Sequence, residues 1–232
     1  MKKGFVLLLS LLLITMAVPG MAFAEEGVNE EYIAEKVDEA FALAASVDGD
    51  VTLRMMPDGS GYAKEVYDLG DGCTLTMEFE DGSDGLKSFV SGNTAVIMPL
   101  ATNGETLWKA YGARYFTAKA TVTVGLWQGS LSLENHYTLS EEGIDERYGV
   151  ANYSSNGSSV YTSIESGQPV ITDSSARTVG ASDVNMYVDF VITDNNADSI
   201  LTKSVRLSTT VGYVAHNYTT EQIQVKHSWS LS

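Results

Sequence analysis

Few side chains in this chain could do nucleophilic, general-base or metal chemistry. They are His136, His216, His227 and one cysteine, Cys73, set among 30 aspartates and glutamates. Hydrolytic serine chemistry needs an exposed nucleophile with a base in reach, and no Gly-x-Ser-x-Gly stretch occurs. His-Glu-x-x-His, paired-cysteine and phosphate-loop patterns are also missing. His227 falls on the apolar stripe of Ile223, Val225, Trp229 and Leu231, which predicts a core or interface residue. His136 falls on the face opposite Leu133 and Tyr137, which predicts exposure to solvent. Nothing basic neighbours Cys73, so it reads as a core or rim residue and not a nucleophile.

Carboxylates offer two other chemistries. A glycosidase needs two of them across a cleft, and Glu134, Glu146 and Asp189 lie on strand-like segments. Calcium needs several oxygen ligands, and Asp194, Asn196 and Asp198 stand at positions one, three and five of a calcium-type loop. Two departures weaken the match: Ser199 stands where glycine is wanted, and Val205 where a bidentate glutamate is wanted. A hairpin turn using Asn and Asp for their backbone preferences explains the same residues. Asp81, Ser83 and Asp84 form a second, poorer set of the same kind.

Aromatic rings are the remaining resource. Trp108, Trp127 and Trp229 accompany 12 tyrosines. Sugar-binding β proteins present flat rings because apolar sugar faces stack on them. Trp127, with Gln128 beside it at a strand end, is the expected ligand platform, with Trp108 as a further candidate. Trp229 belongs to the terminal apolar stripe and reads as core.

These residues need a scaffold to position them. Ile33, Val37, Ala40, Phe41, Ala44 and Val47 recur at helical spacing, predicting one amphipathic helix over 29–47. Asn29 can cap it, and Asp48-Gly49-Asp50 ends it. Beyond Gly49 the period becomes two. Val51–Met56 and Tyr62–Asp68 flank a Pro-Asp-Gly turn, Asp71-Gly72 is a second turn, and Cys73, Leu75, Met77 and Phe79 alternate with polar residues. Residues 81–85 read as another turn and 93–101 as a buried strand. From Tyr111 onward long alternating runs follow, around residues 116–124, 131–139, 184–192, 205–211 and 223–231. Residues 151–182 are rich in Ser, Thr, Asn and Gly and pattern less regularly. The class expected is mainly β, an antiparallel sandwich or barrel with one N-terminal amphipathic helix. The order expected is an acidic segment at 25–110, helix plus hairpins, and a β-sandwich domain at 111–232. The stretch near 100–112 marks either that boundary or a loop within one sandwich.

Lys2 and Lys3, the apolar run from Phe5 to Val18 and Ala22-Phe23-Ala24 form a three-part export signal over residues 1–24. The run is shorter than the ~20 residues a spanning helix needs, so no membrane span is expected after cleavage. One cysteine allows no intrachain disulfide, which suits a Gram-positive or anaerobic exporter. Residues 25–85 hold 17 acidic against three basic side chains. That field repels polyanions and disfavours nucleic acid as a partner. The layout of 111–232, with Leu133-Glu134-Asn135-His136-Tyr137, resembles small exported Gram-positive proteins carrying a C-terminal β domain of unknown function. That resemblance implies no catalytic residues. The function expected is non-catalytic binding of a glycan or peptide by a secreted or loosely surface-held protein. The alternative is a small exported hydrolase acting on cell-wall polymer. Protein collected from the medium of an expressing Gram-positive host should begin at Glu25 on N-terminal sequencing; retention of Met1 would contradict the export signal.

Overall fold

The computed structural model describes residues 30–47, 49–56, 60–84, 107–156, 162–179, 182–194 and 201–232. The expected export signal, the strand expected at 93–101 and residues 195–200 lie outside them. Among the described residues helix α1 (Glu30–Ser46) is followed by fourteen strands. The chain folds as two antiparallel sheets packed face to face, open at their edges.

The first sheet is built on β12 (Ser182–Asp194), β13 (Leu201–Asn217) and β14 (Gln222–Leu231). The free side of β14 takes β1 (Gly49–Val51) against His227–Trp229 and β5 (Leu107–Ala110) against Gln222–Val225. The free side of β12 takes β9 (Thr162–Ser166) and β10 (Val170–Asp173). The second sheet runs β11 (Ser175–Ala176), β8 (Gly143–Asn156), β7 (Trp127–Ser140), β6 (Gly112–Val124), β4 (Thr74–Ser83), β3 (Gly61–Asp68), β2 (Arg54–Met55). Strands from before residue 111 therefore complete both sheets. The period-two reading accounts for the core: Leu75, Met77 and Phe79 face Phe116, Ala118, Leu131 and Leu133 within one sheet, and Val184, Leu207, Val225 and Leu231 line the other.

Helix α1 closes one end of the sandwich. Its apolar stripe, Ile33, Val37, Ala40, Phe41 and Ala44, is buried. Lys36 Nζ donates to the Leu69 carbonyl (2.6 Å) in the β3–β4 turn, and Asp38 pairs with Lys203 at the start of β13. Val37 and Phe41 meet Val122, Trp127, Ile164 and Ile192 around a hollow holding about 10 Å³ of free space, room for one water.

Two glycines correct or sharpen the sequence reading. Residues 81–83 were expected in a turn, but β4 runs through Ser83. Gly82 is there because the Tyr115 ring lies across it: a Cβ would sit 2.6 Å from the Tyr115 hydroxyl oxygen. At the other edge the sheets meet backbone to side chain, where a Cβ on Gly149 would sit 2.1 Å from Met186 Sδ and 2.6 Å from Pro169 Cβ. Met186 is itself buried and has little room to give. Gly149→Ala should lower unfolding stability by about 1–3 kcal/mol, the range for overpacking a filled core, as a drop in denaturant midpoint; an unchanged midpoint would mean the sheets part easily at this edge.

Candidate functional site

Three polar clusters stand out, one inside, one on a sheet face and one at an end. The inner cluster centres on Asp81 of β4, which is 0% exposed. Lys109 Nζ of β5 lies 2.5 Å from its Oδ2. Tyr137 of β7 donates its hydroxyl to Oδ1 (2.9 Å), with Arg114 Nε of β6 at 3.6 Å and His227 Nε2 of β14 at 3.8 Å. Burial would push the Asp81 carboxyl up, but the pull of His227 in its protonated form, of Arg114 and of Lys109 more than offsets it and holds it below the usual range. Burial pushes His227 down to about 4, against the attraction of Asp81, so the ring is neutral at pH 7. His227 is thus an interior residue, as its place on the apolar stripe predicts.

Glu146 is also inside. At Arg147 the β7–β8 register slips by one residue, so His136 pairs with Tyr148 but Tyr137 with Glu146. That bulge turns Glu146 to the inner face. Both its carboxyl oxygens are buried without a hydrogen bond among the described residues. Burial pushes the group up to about 8, with the Asn135 amide nearby offsetting part of the shift. Asn135 in turn donates to Thr209 Oγ1 of the facing sheet (3.3 Å).

On the outer face of the second sheet, His136 departs from its expected exposure. It is 2% exposed because Tyr148 stacks on its ring (4.2 Å, 16°) and two carboxylates flank it. Asp84 Oδ1 lies 2.7 Å from Nδ1, and Glu134 contacts Nε2. The carboxylates sit on opposite sides of the ring and converge on no common point. Among the described residues no group of three or more His, Cys, Asp or Glu could hold a metal ion.

The third cluster lies at the end opposite α1. There Tyr218 is 66% exposed on the β13–β14 turn, and its ring stacks on His216 at 3.8 Å and 21°. His216 is fixed through both ring nitrogens, Nδ1 to the Tyr213 hydroxyl (2.7 Å) and Nε2 to that of Tyr111. Burial, then the charges of Glu141 and Glu221, push the Tyr111 hydroxyl up, so it keeps its proton under an acidic rim. The result is an exposed ring held rigidly in place.

The residues expected to bind ligand are not brought together. Trp127 is 5% exposed, its ring turned inward over Gly129, so it is not a surface platform. Gln128 is exposed on the other face of β7, and Trp108, 44% exposed, projects from the outer side of β5 in the other sheet. Asp194 ends β12 opposite Leu201 of β13, so the 194–198 stretch joins two strands, while Asn196 and Asp198 lie outside the described residues. Asp81 points inward and Asp84 outward to His136 and Arg147, so the Asp81, Ser83, Asp84 set does not converge. Glu134 and Glu146 face opposite sides of one sheet. Asp189 lies on the outer face of the other, held by Arg206 through two hydrogen bonds of 2.7 and 2.9 Å. No family model, curated protein or solved structure matches this chain.

Two of the perturbed interior groups, His227 and Glu146, set opposite pH slopes. His227 titrates lower in the folded state than the 6.5 of the free side chain, so its contribution is full above pH 6.5 and is lost as pH falls to about 4. Glu146 titrates higher than its usual 4.5, so its contribution is full below pH 4.5 and is lost as pH rises through about 8. Each slope is at most about 1.4 kcal/mol per pH unit. They cancel between pH 4.5 and 6.5, and Glu146 alone acts from 6.5 to 8. Chemical denaturation across this range should show a plateau and then a decline, and Glu146→Gln should abolish the decline. A wild-type curve still rising from pH 6.5 to 8 would refute this assignment.

Proposed function

We propose that this is an exported, non-catalytic binding protein whose contact surface is the tyrosine-rimmed end of the sandwich. The observation that carries the reading is Tyr218, widely exposed yet stacked on a histidine that two other tyrosines hold in place. An exposed ring ordered in advance loses little freedom on binding. Such a ring suits the apolar face of a cell-surface glycan or a side chain of a peptide. Glu141 and Glu221 beside it favour neutral or basic ligands over polyanions. The hydrolase reading lacks comparable support, because Glu134, Glu146 and Asp189 point into three separate environments. No helix among the described residues is long and apolar enough to cross a membrane.

Loss of one stacked ring is worth about 1 kcal/mol, or roughly fivefold in dissociation constant. Tyr218→Ala should therefore weaken retention on purified wall material or whole cells by about that factor, with an unchanged melting curve. Equal retention by the variant would remove Tyr218 from the contact surface. Steady release of soluble sugars or peptides from wall material by the wild type would establish turnover instead of binding.

A further inference from the structure

We propose that Lys109 and Asp81 become joined by an amide bond between Nζ and Cγ, a covalent tie between the two sheets. The 2.5 Å between Nζ and Oδ2 is as short as the tightest charged hydrogen bonds, yet Oδ2 accepts no well-aligned hydrogen bond. The contact presses the amine against the carboxyl group. Both side chains are buried, Lys109 at 3% and Asp81 at 0% exposure. A nucleophile held against a carboxyl group in this way has the proximity that replaces a bimolecular encounter.

The surroundings fit the step. Moving one proton from the ammonium to Oδ2 across the 2.5 Å contact gives the amine and the carboxylic acid, the forms that react. The Nζ lone pair attacks Cγ, and negative charge develops on Oδ1. That oxygen accepts the Tyr137 hydroxyl at 2.9 Å and faces Arg114 Nε at 3.6 Å, the kind of donors that stabilise a tetrahedral oxyanion. The Cγ–Oδ2 bond then breaks. Oδ2 departs as water, carrying the acid proton and one proton from Nζ, so the step needs no oxidant, reductant or cofactor. Phe116, packed on His227 at 4.4 Å and parallel to Phe79, walls the cluster against returning water.

The test is the intact mass of the purified, folded protein after denaturation, against the sequence mass from its determined N-terminus. The expected result is a deficit of one water. Tryptic digestion should give a branched peptide joining the Asp81 and Lys109 segments, with no cleavage after Lys109. Asp81 precedes Gly82, so closure of a backbone succinimide would lose the same water. Lys109→Met separates the two: it restores the full mass if the amide forms and leaves the deficit if the succinimide does. Full sequence mass in the wild type, a deficit that persists in Lys109→Met, or two linear peptides in the wild-type digest would overturn the proposal. The digest decides even if the variant does not fold.

Discussion

Asp81 is the point on which the sandwich is hung. Its carboxyl group is met from its own sheet by Tyr137 and Arg114 and from the facing sheet by Lys109 and His227. Five strands, β4, β5, β6, β7 and β14, must therefore be in register before any of these groups is satisfied. Apolar packing tolerates a slipped strand more readily than a buried charge tolerates a missing partner, and breaking a buried pair costs about 3–5 kcal/mol. The cluster thus selects one alignment of two sheets whose apolar faces could otherwise slide. Asn135 and Thr209 repeat the device more weakly between β7 and β13.

Much of the frame is legible in the sequence, because half-buried strands write their burial into alternate residues. Residues 74–80 and Gln222–Leu231 alternate as the period predicts, and α1 lies within a residue of the helix read from its apolar spacing. The inward turn of Trp127 was also there to be read, since it shares parity with Leu131 and Leu133 on β7. What parity cannot supply is the bulge at Arg147, which inverts the faces of the residues before it and carries Glu146 indoors. Asp81-Gly82 carries local turn chemistry, and only the distant Lys109 and Tyr115 reveal why both residues belong in a strand.

The site residues were the harder part for the same reason. His136 is outward by parity yet hidden, because Tyr148 from the next strand lies over it and Asp84 reaches it from 52 residues away. Tyr111, Tyr213, His216 and Tyr218 come together from the ends of β5 and β13, with Tyr111 meeting His216 across 105 residues. Each of them alone reads as an ordinary strand or turn residue. Only the meeting of strand ends makes a supported aromatic ledge of them.

β14 links the Tyr218 end of the sandwich to the end that α1 packs against. It leaves the turn carrying Tyr218 and finishes ten residues later beside β1, at the end that α1 closes. At about 3.3 Å per residue that is on the order of 30 Å. The helix at the head of the described chain and the last strand at its foot thus share one pole, and the tyrosines occupy the other. Anything gripping α1 or the end of β14 would leave Tyr218 facing away from it, reaching outward like a fingertip.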